Sequence, residues 1–288
     1  MWIFYALASA LFAGTVAILA KIGVKDVDST LATALRTIVV AVFAWLMVAV
    51  AGAPSAIAHI VPKSLLFLIL SGLATGLSWL CHFRALQLGD VNKVVPVDKS
   101  STVLTLFISF LLLGEGLTLV KTVAMLFIGA GTYLMIERKD TETSDKQGRQ
   151  WLLFALLSAV FASLTAILGK IGITGVESNL GTALRTLVVL LMAWILVFLQ
   201  GKQKDIKGIT RRNWRFLVLS GLATGLSWLC FYRALQDGPV SVVVPIDKLS
   251  ILVTVAFSAL VLRERLSKKS LLGLLLITAG TLSLIFFP

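Results

Sequence analysis

Of the charged residues inside or at the ends of long apolar runs in this 288-residue chain, ten recur at equivalent positions. They form two sets of the same type and spacing: Lys21, Arg36, Arg84, Asp98 and Lys99, then Lys170, Arg185, Arg233, Asp247 and Lys248. A charge in hydrocarbon is costly, so such residues pair with one another, face a polar path, or contact a charged solute. Arg36 falls about six residues into its run, roughly 9 Å deep at 1.5 Å per residue. Asp98 and Lys99 fall at similar depth just after Pro96, as Asp247 and Lys248 do after Pro245. Arg36, Asp98, Lys99, Arg185, Asp247 and Lys248 are therefore the expected solute contacts or gates. Asp98 can pair with Arg36 or Lys99 in one state and release it in another, and Asp247 with Arg185 or Lys248. Permanent ion pairs are the structural alternative. Lys21, Lys170, Arg84 and Arg233 are shallower and can snorkel to the head groups; with the mid-run Trp79 and Trp228 they are the possible lining of a cavity.

Each set holds four bases and one acid, which favours an anionic or zwitterionic solute. It disfavours a cation exporter built on an isolated buried carboxylate. Two cysteines and two histidines, Cys81, Cys230, His59 and His82, are too few and too scattered for a metal site or a disulfide framework. Neither a His-rich cluster nor a convincing nucleophile is present, so an enzyme is not expected and no cofactor is implied. Proton coupling is permitted by the two Asp residues.

The elements that must carry these charges are membrane helices. Hydrophobic residues make up 58% of the chain and charged residues 14%, with a mean hydropathy of +0.97. Apolar runs of about 20 residues recur, the length a helix needs to cross ~30 Å of hydrocarbon. Lipid forbids open sheet edges, so the runs are helices. The first run, Trp2 to Ala20, lacks the basic start of a signal peptide and is expected to remain as the first span. The net charge of +12 fits basic cytoplasmic loops better than nucleic acid.

The chain is a duplication. Residues from Trp2 to Lys139 align without a gap to the residue 149 positions later, about half the pairs being identical. The block Ser71 to Cys81 recurs unchanged as Ser220 to Cys230. Residues 1–137 form the first five-helix repeat, 138–150 a polar linker, and 151–288 the second. Expected spans are about 2–22, 30–50, 65–88, 91–113 and 118–136, then about 151–171, 179–200, 214–236, 239–262 and 269–287. Five is odd, so the second repeat enters the membrane from the opposite side. The expected fold is an all-α integral membrane protein, ten transmembrane helices as two inverted, antiparallel five-helix repeats. The Gly72-x3-Gly76 and Gly221-x3-Gly225 faces are expected to pack helices closely. Pro96 and Pro245 bend a helix or open its first turn.

Loop charge sets an orientation. The linker carries Arg138, Lys139, Lys146 and Arg149, and the stretches 200–215 and 263–269 are basic, whereas their counterparts 51–64 and 114–118 nearly lack Lys and Arg. The positive-inside rule makes the linker face cytoplasmic and both termini external.

The order and duplication of these features resemble the drug/metabolite transporter (DMT) superfamily, specifically its EamA-type members. The resemblance rests on the five-plus-five repeat, on L-G-E-G-L-T (113–118) and L-R-E-R-L-S (262–267), and on the A-G-T ending of the fifth and tenth runs (130–132, 279–281). The stretches 79–99 and 228–248 resemble short five-helix bacterial members, of which this chain looks like a duplicated form. The resemblance implies a secondary transporter of small metabolites (amino-acid, nucleobase or drug-like solutes, in efflux) working by alternating access, with a cavity between the two repeats. It implies a multi-pass protein of the cytoplasmic (inner) membrane whose partners are a solute and lipid, monomeric as an internal pseudo-dimer. A flippase for a lipid-linked or phosphorylated substrate is the alternative, and a non-transporting scaffold the third reading.

Overall fold

The computed structural model describes residues 1–23, 27–51, 60–88, 97, 100–134, 150–261 and 267–287. In chain order the helices are α1 (Trp2–Gly23), α2 (Ser29–Val50), α3 (Pro62–Leu88), α4 (Ser101–Leu113), α5 (Leu119–Leu134), α6 (Gln150–Ile173), α7 (Ser178–Leu199), a 3-10 turn (Lys202–Gly208), α8 (Arg211–Asp237), α9 (Val240–Lys248), α10 (Ser250–Val261) and α11 (Lys268–Phe286). No strand occurs among the described residues. Among the described residues, six stretches are long and apolar enough to cross a membrane: Thr30–Val50, Pro62–His82, Gln150–Ile173, Ser178–Leu199, Arg211–Asp237 and Lys268–Phe286. Trp2–Val16, Ser101–Leu113 and Leu119–Leu134 are apolar but shorter.

The helix starts are set by side chains that satisfy free N–H groups. Asp28 accepts from the amides of Thr30 and Leu31 at 3.0 and 3.2 Å, opening α2. Its repeat counterpart Glu177 accepts from Leu180 at 2.8 Å, opening α7. Thr210 and Ser267 do the same for α8 and α11. Gly114 ends α4 at a φ of 66°, a left-handed conformation that glycine adopts without steric cost.

One expected span is interrupted. Residues 239–262 form two helices, α9 and α10, separated at Leu249. Pro245 sits inside α9 and has no N–H to give to the Ser241 carbonyl, which weakens the helix there. The chain then tightens: Leu249 donates to Ile246 at 2.9 Å and Leu252 to Leu249 at 2.8 Å, spacings of a 3-10 turn. The equivalent first-half motif, including Pro96, lies outside the described residues.

The repeats are units of sequence, whereas packing divides the chain into two compact units that each draw on both repeats. The first unit comprises Met1–Leu73, Leu168–Gly238 and Ile246–Arg263; the second comprises Ala74–Ile167, Pro239–Pro245 and Glu264–Pro288. In the first, a Cβ placed on Gly72 would lie 2.7 Å from the Cβ of Val188, and one on Gly221 would lie 2.7 Å from that of Val39. The two contacts are each other's repeat counterparts. In the second, Gly131 of α5 abuts Gly273 and Ile277 of α11, while Gly280 of α11 abuts Ala124 and Ile128 of α5. Those pairs are reciprocal too. Reciprocity of this kind is what a two-fold relation between repeats produces. The glycines of the A-G-T endings are thus the points where two backbones cross closely.

Large apolar side chains cover the exterior as well as the core, and hydroxyls are buried between helices. Phe4, Leu46, Leu126, Leu191 and Leu275 are all more than half exposed, whereas Ser9, Ser71, Ser158 and Ser220 are fully buried. An apolar exterior suits lipid, and buried hydroxyls join helices where lipid tails give no hydrophobic drive.

Candidate functional site

The first unit gathers a polar cluster from both repeats. Arg185 of α7 is 2% exposed. Its Nε donates to Ser71 Oγ of α3 at 3.0 Å. Its guanidinium carbon lies 4.7 Å from the Tyr232 ring centroid and 5.1 Å from that of Trp228, both on α8. A cation over aromatic faces away from water gains about 2 kcal/mol or more. The Tyr232 hydroxyl and Ser71 Oγ lie side by side against Gly169 of α6, 3.5 and 3.3 Å from where a Cβ on that glycine would be. Ser71 is thus bonded to an arginine of the other repeat and lies beside a tyrosine of that repeat.

Asp247 of α9 accepts a 2.7 Å hydrogen bond from Ser9 of α1. Ser9 also lies 3.2 Å from Ser227 Oγ of α8, which donates to the Ser9 carbonyl at 3.1 Å. The expected pairing of Asp247 with Arg185 or Lys248 is not the arrangement found. Ser9 of α1 holds the carboxylate, and Arg185 is turned onto Ser71 and the rings. Lys248 is partly buried at the end of α9.

Arg36 of α2 is placed differently from its counterpart Arg185. It is partly buried, and its Nη2 donates to Thr224 Oγ1 at 2.8 Å. Among the described residues its buried Nε has no hydrogen-bond partner. Asp98 and Lys99 lie outside the described residues, as does the side chain of Lys21.

Lys170, expected as cavity lining, has a different setting. Its ammonium donates to the carbonyls of Leu235, Gln236 and Gly238 at 2.5, 3.1 and 2.9 Å. It closes the C-terminus of α8, where free carbonyls favour a cation. Gln236 returns the tie, donating to Val176 at 2.6 Å. Arg233 is exposed at the same end, paired with Asp237 at 3.3 Å. In the second unit, Arg84 is exposed and Trp79 partly buried on α3.

Three parts of the arrangement escaped the sequence reading. Tyr232 is the first: its counterpart is Phe83, and a hydroxyl gained where the repeats differ was the available signal. The serines are the second; Ser9 and Ser227 read as small packing residues until their partners are known. Glu115 is the third. In the second unit its two carboxylate oxygens accept from the amides of Val240 and Ser241 at 2.7 and 2.9 Å. The first-repeat L-G-E-G-L-T motif thereby fixes the N-terminus of α9, the helix that carries Asp247.

No group of three or more His, Cys, Asp and Glu residues suited to a metal occurs among the described residues. Polar groups buried in an apolar bundle, with charges drawn from several helices, suit contact with a polar solute.

Comparison with known proteins fits this organisation. The chain is 43% identical over 139 residues to an uncharacterised transporter of a Sinorhizobium species, a match covering 48% of this chain and 99% of that protein. The relative is thus one repeat long. An uncharacterised protein of Methanocaldococcus jannaschii is 30% identical over 103 residues, covering 33% of this chain and 75% of its own. A solved crystal structure at 17% identity superposes with a TM-score of 0.82, covering 100% of this chain and 99% of that one, which establishes likeness of fold. The sequence profile of the EamA-like transporter family matches residues 1–137 and again 149–286. The chain belongs to the EamA-like transporter family of the DMT superfamily, whose members are membrane transporters of small solutes.

Proposed function

We propose that this protein is a secondary transporter that exports small metabolites of the amino-acid, nucleobase or drug-like classes by alternating access, through a cavity between its two repeats. The observation that carries the reading is the unequal setting of two repeat-equivalent arginines. Arg185 is sealed against Ser71, Trp228 and Tyr232, while Arg36 donates to Thr224 and its Nε has no partner among the described residues. Inverted repeats that hold different conformations can exchange them, and the exchange turns a site from one face of the membrane to the other. Arg36 and Arg185 serve as cationic contacts for an anionic or zwitterionic solute. Asp98 and Asp247 are the groups able to carry a coupled proton, and no bound cofactor is required. The protein resides in the inner membrane as a monomer, in contact with lipid, with residues 138–150 on the cytoplasmic side.

The test is flux through proteoliposomes loaded with a mixture of L-amino acids and nucleobases, read by mass spectrometry of the released solutes. Wild-type protein is expected to release at least one class, and Asp98→Asn with Asp247→Asn to abolish that release. Wild-type rates in the double variant would remove the carboxylates from the mechanism. Vesicles as tight as protein-free controls to every solute would remove these solute classes.

A further inference from the structure

The Nε of Arg185 is docked on a serine, and the Nε of its counterpart Arg36 is buried with no partner among the described residues. Arg185 docks on Ser71, whose repeat counterpart is Ser220 of α8. Arg36 Nε has no such partner among the described residues, and its Nη2 donates to Thr224, one turn beyond Ser220 on the same helix. The backbones beneath do not differ in this way. A Cβ on Gly72 would lie 2.7 and 2.9 Å from Val188 Cβ and Cγ1 and 3.1 Å from the Arg185 carbonyl; one on Gly221 would meet Val39 and the Arg36 carbonyl at the same three distances. The helix crossings are alike while the arginine side chains are not. Contacts that are equal in both halves are kept when pseudo-symmetric halves exchange states, and only the unequal ones must change.

We propose that Ser71 and Ser220 are alternate docking hydroxyls for the two arginines, that only one is occupied at a time, and that Tyr232 biases the choice toward Ser71. The proposal rests on the alternating-access reading. In the state seen, Arg185 occupies Ser71 and Arg36 stands off on Thr224. In the exchanged state Arg36 gives its Nε to Ser220 and Arg185 leaves Ser71. The groups for the exchange are in place. Arg36 Nε is buried without a hydrogen-bond partner among the described residues. Ser220 is fully buried, and its hydroxyl hydrogen is directed to the Leu217 carbonyl at 3.3 Å, leaving the oxygen able to accept. The arginine of each half pivots over a fixed crossing, so the exchange is a side-chain hand-off and not a sliding of helices.

The bias comes from Tyr232, whose repeat counterpart is a phenylalanine. The Tyr232 hydroxyl lies beside Ser71 against Gly169, and its ring lies beneath the guanidinium of Arg185. Its counterpart Phe83 has no hydroxyl to offer Ser220.

The native thiols report the balance. Cys81 and Cys230 are repeat counterparts, free, and partly buried on α3 and α8. In purified full-length protein their alkylation by N-ethylmaleimide is followed peptide by peptide, and the Cys81-to-Cys230 rate ratio is compared with wild type. Ser71→Ala and Tyr232→Phe are expected to move the ratio in one direction and Ser220→Ala in the other, each by about fivefold, the effect of one hydrogen bond. Thr224→Val, which removes the resting contact of Arg36, is expected to follow Ser71→Ala, and the double variant Ser71→Ala/Ser220→Ala to return toward wild type. Shifts of the same sign for Ser71→Ala and Ser220→Ala, or no shift in either, would overturn the proposal even if both variants melt earlier. The readout needs no solute. Opposite shifts in a protein that moves no solute would keep the docking switch and reject the transport reading.

Discussion

The guanidinium carbon of Arg185 lies 4.7 Å from the ring centroid of Tyr232, on a helix of the same repeat, while its Nε is bonded to Ser71 of the other repeat. The planar fork is what allows both contacts at once. Lysine keeps the charge but neither stacks as a plane nor offers an Nε hydrogen in that position. Arg185→Lys is expected to cut initial transport rates about tenfold in proteoliposomes, with the melting temperature close to wild type. A lysine variant that transports at full rate would mean that charge alone is used.

The close crossings at Gly72 and Gly221 predict a reciprocal rescue. Adding a methyl group at Gly221 drives it into Val39, and overpacking of this kind costs about 1–3 kcal/mol. Gly221→Ala is expected to lower the unfolding midpoint in detergent, and Val39→Ala in the same molecule to recover most of the loss. The pair Gly72→Ala and Val188→Ala is expected to behave alike. Additive losses in both pairs would show that the glycines answer to other neighbours.

Lys170 donates to three backbone carbonyls at the end of α8. Lys170→Met keeps the aliphatic stem and removes those bonds, with an expected loss of roughly 2 kcal/mol, in the range for hydrogen bonds to a charged group. The transport rate per folded molecule and the KM for solute are expected to stay within about twofold of wild type, because the side chain is engaged in capping. A raised KM with unchanged stability would return Lys170 to the solute path.

Asp28 gives a pH dependence with a definite sign. Burial raises its carboxyl affinity for protons, but the amide of Leu31, the ammonium of Lys202 at 3.2 Å and the amide of Thr30 together hold it below the ordinary carboxylate value. A depressed pKa means that its contribution is present above the unfolded value, near 4, and fades as pH falls through the folded value. Asp28→Ala is expected to cost about 1 kcal/mol at pH 7, the usual effect of losing a helix cap. The gap between variant and wild-type melting curves is expected to narrow below about pH 4. A gap that stays constant down to pH 2 would rule out the ionised cap.

Duplication, apolar run length and the order of the motifs made the helical membrane fold legible in the sequence, because those features are local or periodic. The break at Leu249 was less so: Pro245 announced a weakness without saying that the turn would tighten four residues later. Among the candidate residues, burial of Arg185 followed from its depth, whereas its partners did not. Ser71 lies far away in sequence on the other repeat, and a serine in a small-residue block signals packing equally well. Lys170 and Arg185 are both basic residues in apolar runs. Only the arrival of the α8 carbonyls separates a cap from a buried cation.

Exchange across the membrane is the property that alternating access must display. In proteoliposomes preloaded with an unlabelled L-amino-acid and nucleobase mixture, uptake of the same mixture in labelled form should exceed uptake into empty vesicles severalfold. Arg185→Ala should lose that stimulation. Equal uptake with and without internal solute, at a rate above protein-free vesicles, would describe an open pore and contradict the account.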